Sequence, residues 1–172
     1  MMRSRVAQSV MLLFLIPSAV FARDLSEYPC TVFSYDVCFR LPTGTHANYS
    51  VPADFDVYTL SKGGASFATI YIGDAAQPST SADAPVVKKT KYGTISIHAG
   101  DSSSSKGMVD IYIVPNAKDA STVHISADSA AADDEVLREL LSSFRPCVPI
   151  KAGGQKCPVN DVWSRELVQA IQ

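Results

Sequence analysis

The sequence predicts an α+β domain: a mostly antiparallel, twisted sheet of about six strands covered by one or two helices. Three observations predict it. Between Thr31 and Ser126 apolar and polar residues alternate in segments rich in β-branched side chains, the pattern of half-buried strands. After Ser129 the period changes, and Val136, Leu137, Leu140, Leu141 and Phe144 form one apolar stripe, as a helix lying on a sheet does. The linkers between neighbouring alternating segments are polar, which favours an antiparallel meander.

The elements follow in order. Thr31 to Leu41 alternates Phe33, Tyr35, Val37, Phe39 and Leu41 against the cysteines and reads as one strand. Pro42 to Asp54 holds two prolines and a glycine and reads as loop or irregular edge. Phe55 to Leu60 is the next strand, leading into a Lys62-Gly63-Gly64 turn. Ser66 to Ile72 places Ala68, Ile70 and Ile72 on one face. Gly73 to Ala84, rich in Ala, Ser, Asp and Pro, reads as a crossing over the surface. Gly93 to His98, Met108 to Val114 and Thr122 to Ser126 each alternate again, and the serine-rich Asp101 to Lys106 reads as a mobile hairpin tip. In the helix that follows, Asp133, Asp134 and Glu135 suit the first turn through the dipole. Asp128 or Ser129 is the expected cap, and Pro146 the stop. A second helix is expected from Asn160 to Ala170, capped by Asn160 or Asp161, with Trp163, Leu167 and Ile171 facing inward. Gly153-Gly154 makes the segment between the two helices a flexible loop.

At the N-terminus, Arg3 and Arg5 precede the apolar run Val10 to Pro17, and Val20-Phe21-Ala22 offers a cleavage site. That arrangement reads as a secretory signal peptide over residues 1–22, leaving residues 23–172 as a single disulfide-braced domain with a loop–helix extension from 147 to 172. The apolar core of the leader is too short to span a bilayer, so no stable membrane span is expected after cleavage. The expected location is periplasmic or extracellular. Asn48-Tyr49-Ser50 fits the N-glycosylation pattern, which matters only in a eukaryotic secretory pathway.

Cleavage removes Arg3 and Arg5 and no acid, taking the formal charge from −2 to −4. A negative chain offers no broad surface for nucleic acid. The one basic cluster, Lys88-Lys89-Thr90-Lys91, reads as a solvated loop or edge strand. Cys30, Cys38, Cys147 and Cys157 are an even set behind an export signal, which favours two disulfides. Pairing Cys30 with Cys38 and Cys147 with Cys157 closes two short local loops and is preferred. Clipping the N-terminal strand to the C-terminal region is the open alternative. The spacings are too wide for a zinc motif, no histidine lies close by, and no Cys-x-x-Cys is present.

Three segments resemble the family of Mog1 and PsbP, in particular its small exported bacterial members. Val37 to Pro42 looks like the family's early strand running into a proline. The strands of Tyr71, Ile95 and Ile111 look like its antiparallel meander, and Asp134 to Phe144, ending Leu-Leu-Ser-Ser-Phe, looks like its closing helix. The resemblance covers roughly residues 30–144 and departs in the four cysteines, in the tail after Pro146, and in lacking the helix the family places early. It implies binding or assembly rather than catalysis and assigns no ligand residue.

No catalytic residues are expected. There is no Gly-x-Ser-x-Gly, and the serines cluster in polar linkers. Asp54, Asp56, Asp74 and Asp110 have no spacing that selects a carboxylate pair. No glycine pattern supports a nucleotide, and no cofactor or metal is expected. His98 and His124 fall on the polar faces of their strands, where neighbouring strands would bring the two rings together beside Asp110 and Tyr112. Tyr71, His98, Asp110, Tyr112 and His124, joined by Thr94 and Ser96, are therefore the candidate partner-binding face, unless the helix of Trp163 covers it. The expectation is an exported, non-catalytic protein that binds or inhibits another exported or envelope protein. A small-molecule or metal carrier is the alternative, and a hydrolase of the cell envelope is less favoured.

Overall fold

The computed structural model describes residues 30–74, 84–99, 107–128, 130–131, 134–149, 155–157 and 163–169. The signal-peptide segment, the serine-rich tip, Ser129, Gly153-Gly154, Asn160, Asp161 and Ile171 lie outside them. Among the described residues no helix is long and apolar enough to cross a membrane.

The segment expected as one strand from Thr31 to Leu41 is a hairpin. β1 (Val32–Ser34) and β2 (Val37–Phe39) pair antiparallel, with Phe33 opposite Cys38. Tyr35 and Asp36 form the turn, with Tyr35 at φ 49°. A bulky side chain in left-handed backbone costs about 1–3 kcal/mol, so the surroundings must hold it there. The Tyr35 hydroxyl donates to the Asp54 carbonyl at 3.1 Å, and Gln155 Nε2 donates to the Tyr35 carbonyl. The two-residue turn shifts the alternation by one: Ser34 and Val37 become partners on one side, so exposed Phe33 lies on the opposite side from buried Val37 and Phe39, with which the sequence spacing groups it.

The main sheet has seven antiparallel strands. β3 (His46–Ser50), β4 (Asp56–Lys62) and β5 (Ala65–Gly73) form one meander. β6 (Val86–Lys89), β7 (Gly93–Ala99), β8 (Met108–Pro115) and β9 (Thr122–Asp128) form a second. The spatial order is β3-β4-β5-β9-β8-β7-β6. The four strands expected as one continuous meander are thus split. After β5 the chain resumes at the far edge with β6, and β9 returns to pair with β5. The basic cluster supplies the edge strand β6, and His46–Ser50, expected as loop or irregular edge, supplies the opposite edge strand. Both edges are largely exposed, so neither has a buried face to print a pattern on the sequence. The tight turn between β4 and β5 uses Gly63 and Gly64 at φ 60° and 88°, a conformation open to glycine without strain.

One face of this sheet carries the core. Across it run Tyr58, Ile70, Ile125, Ile111 and Ile97 in one register row and Ile72, Val123, Ile113 and Ile95 in another. α1 (Asp134–Ser143) lies on that face through Val136, Leu137, Leu140 and Leu141. Asp134 and Glu135 occupy its first turn, as the dipole favours. Asp128 does not cap it: its Oδ1 accepts from the Ala130 amide at 2.8 Å, making a turn ahead of the helix. The helix stops one turn short of Pro146. Arg145 Nη1 donates to the Ser142 and Phe144 carbonyls at 2.7 and 2.9 Å, satisfying acceptors left over at a helix end.

Arg145 and Pro146 then form β10 (Arg145–Pro146) beside β2, making a three-stranded sheet β1-β2-β10. β11 (Val148–Pro149) and β12 (Gln155–Lys156) make a small hairpin. α2 (Ser164–Gln169) follows, shorter than the expected Asn160–Ala170 span. The helical content is accordingly smaller than the sequence predicts, and the molecule is dominated by antiparallel sheet. Both disulfides are local, Cys30–Cys38 across the first hairpin and Cys147–Cys157 across the last. Cys30, Cys38 and Cys147 form one buried cluster, with half-buried Cys157 packed against it. With both bonds formed, alkylation of the denatured, unreduced protein is expected to add no mass, and digestion should release Cys147 and Cys157 in linked peptides. Alkylation of all four cysteines would show that the bonds do not form.

Candidate functional site

The face of the main sheet opposite the core carries the five candidate residues. Tyr71 on β5, His124 on β9 and Tyr112 on β8 are direct cross-strand partners in one row, which continues to Ser96 on β7. In the next row Ser126, Asp110 and His98 are partners on β9, β8 and β7. Alternation forces this placement: the branched residues between them, Ile111, Ile113, Ile125 and Val123, all go to the core. Neither helix covers this face. Trp163 and Leu167 of the C-terminal segment pack into the same core as α1, on the other side.

The two histidines are not neighbours. β8 lies between their strands, and the Tyr112 ring separates them. It stacks on His124 with centroids 4.2 Å apart and meets His98 edge-on at 5.5 Å. Tyr112 is nearly fully buried, at 3% exposed, and His98 is at 8%. Tyr112 and His98 are therefore buried, while Tyr71, His124 and Asp110 are partly exposed.

Asp110 is the electrostatic anchor. Its Oδ1 lies 2.9 Å from His124 Nε2, and both side chains are about a quarter exposed. The hydrogen bond from His124 holds the Asp110 carboxyl below its ordinary range against the opposing effect of burial. Ser126 donates a further bond, and both histidines add favourable electrostatics. Ser126 was not singled out from sequence, although it shares the alternating face of His124. His98 sits opposite Asp110 in register, yet neither of its ring nitrogens has a partner among the described residues.

A depressed folded-state pKa means that Asp110 stabilises the fold above the ordinary aspartate value, near pH 4, and that this contribution is lost as pH falls through its lowered value. Burial pushes Asp36 the other way, so its contribution favours the fold in acid and is lost as pH rises through its raised value. Asp110→Asn is therefore expected to lose about 1 kcal/mol at neutral pH, the modest worth of a partly exposed charge-assisted bond. Its deficit relative to wild type should shrink as pH falls toward 2. Urea midpoints measured across this range give the comparison, and a deficit that stays constant would show that the pair is not ionic.

The outer face turns a corner at one end of the sheet. Phe55 packs its ring against Tyr71 with centroids 4.3 Å apart. A β-carbon on Gly73 would collide with Phe55, so glycine is what lets this ring seat there. Beyond it lie the Tyr35 turn, Tyr49 and Asp56. Tyr49 donates to Asp56 Oδ1 at 2.8 Å, and Ser34 donates to Oδ2 at 2.5 Å. These residues are scattered through the chain, and no sequence pattern linked them.

Among the described residues, Cys38, Cys147 and Cys157 bring three sulfurs within 4.8 Å of one another. All three are committed to disulfides, which leaves no thiolate to hold a metal. No protein-family model matches the chain, and comparison with curated proteins and with solved structures likewise finds no match.

Proposed function

We infer that the mature chain is an exported, non-catalytic protein that binds or inhibits another exported or envelope protein, in the manner of an inhibitor or immunity protein. One observation carries this reading: Tyr71, His98, Asp110, Tyr112 and His124 share a contiguous face that neither helix covers. Aromatic rings with polar tips, fixed by stacking and by the Asp110–His124 bond, are the composition of a protein-recognition surface. Two disulfides and the leader support a periplasmic or extracellular site of action. The likeness to small exported members of the Mog1 and PsbP family belongs to the same proposal, since it implies binding without a fixed ligand set.

A small-molecule or metal carrier is the second reading. The buried, unpartnered nitrogens of His98 favour it, because a ligand atom would satisfy them. Affinity purification of the mature protein from its native envelope, followed by mass spectrometry, separates the two. The expected result is a stoichiometric protein partner that is lost in Tyr71→Ala and His124→Ala, with the circular dichroism spectrum of the folded protein unchanged. Recovery of a metal or small molecule without a protein partner would overturn the proposal.

A further inference from the structure

At the sheet end beside Tyr71, exposed aromatic rings and carboxylates meet. Tyr35 and Tyr49 are each about half exposed, at 48% and 53%, and Val51, which follows Tyr49 by two residues, is exposed to 51%. Their phenols are fixed: Tyr35 by the Asp54 carbonyl, Tyr49 by Asp56 and by its ring stacking on Tyr58 at 4.9 Å. Rings held at their tips lose little freedom on binding, which favours their use as anchors. Tyr35 also keeps a ring where asparagine or glycine would suit the left-handed backbone better.

Among the described residues, the charge acting on these rings has one sign. The charged groups acting on Tyr49, Tyr58 and Tyr71 are Asp54, Asp56 and Asp74, each raising the phenol. The bond to Asp56 is the largest cause at Tyr49, which is pushed up to about 12. Asp36, in the same turn as Tyr35, feels Asp74 as well. Asp54 and Asp74 are exposed.

We propose that this sheet end is a docking surface for an arginine-bearing loop of a protein partner, the guanidinium stacking on Tyr35 or Tyr49 and forking to Asp54 or Asp56. Arginine fits better than lysine because its planar group meets a ring face and a carboxylate at once. The surface adjoins the face of the proposed function through Tyr71 and rests on that reading only for the identity of the class of partner, a protein.

The test uses the folded mature chain with both disulfides intact and two blocked peptides, one with four arginines and glycine spacers, the other its lysine counterpart. Calorimetry at low salt should show the arginine peptide binding at least about fivefold more tightly than the lysine peptide, a preference of the size expected of an exposed cation–π contact. Backbone amide shifts should centre on Tyr35, Tyr49 and Asp54. Tyr35→Asn removes the ring while suiting the turn, and Asp54→Asn removes only charge. Each should weaken arginine binding severalfold with the circular dichroism spectrum unchanged. Absence of binding, equal affinity for the two peptides, or unchanged affinity in both variants would overturn the proposal. So would a wild-type dimer that Tyr35→Asn dissociates, since the occupant would then be a second copy. The peptides read the sheet end without any native partner. Loss of peptide binding with partner capture intact therefore removes this inference alone, and the converse removes the outer-face reading alone.

Discussion

Phe39→Ala is expected to lower the free energy of unfolding by about 3–5 kcal/mol, the range for removing a buried aromatic ring. Phe39 is fully buried and joins three parts of the molecule. It belongs to the first hairpin, meets Tyr58 of β4 edge-on at 5.4 Å, and stacks on Phe144 at the end of α1 at 5.0 Å. The Cys30–Cys38 bond fixes the backbone just before it, so the hairpin cannot easily collapse into the space left behind. A cavity that persists keeps the penalty at the upper end. Chemical denaturation of the oxidised protein measures the effect. Val87→Ser, on the exposed edge strand, should stay within about 0.5 kcal/mol of wild type. A Phe39→Ala midpoint equal to wild type would show that the hairpin does not pack on the sheet.

Leu140→Ala is expected to cost about 2–5 kcal/mol. Leu140 is fully buried in the cluster shared by the sheet, α1, Trp163 and Leu167. Its carbonyl accepts from Ser143 Oγ at 2.6 Å, and the Ser143 Oγ in turn accepts from the Arg40 amide at 2.9 Å. The helix end is thus pinned to the segment just after β2, and truncation at Leu140 removes apolar filling without freeing the helix to move inward. Because α2 contributes Leu167 to the same cluster, loss of near-ultraviolet signal from Trp163 should accompany the destabilisation. Full retention of stability would mean that α1 does not cover the sheet.

Much of this architecture is legible in the chain because period two is a direct consequence of strand geometry. Ala68, Ile70 and Ile72 could face the core only together, and the same holds for Ile111 with Ile113 and for Val123 with Ile125. Tyr71, Asp110, Tyr112 and His124 were thereby assigned to the opposite face before any strand had a neighbour. The helix over Asp134–Ser143 was equally visible, since its stripe has a different period. Two short loops made local disulfides the preferred pairing, and the cysteines do pair in that way.

Alternation names a face but not a neighbour. Nothing in the residues from Gly73 to Ala84 says that the chain emerges at the far edge, so the pairing of β5 with β9 belongs to the tertiary structure. For the same reason Tyr112 lies between His98 and His124 instead of letting them meet. The hairpin at Tyr35 was hidden because Val37 and Phe39 continue the spacing of Phe33 and Tyr35 along the chain, although the turn puts Phe33 on the opposite side from them. The cluster of Tyr35, Tyr49 and Asp56 arises only when that turn folds against the end of the sheet. The sequence by itself determined which side chains face the core, because burial of apolar surface acts on local periodicity. Tertiary structure alone decided which strands touch and which side chains gather at the sheet end, because those contacts depend on chain crossings that leave no local pattern.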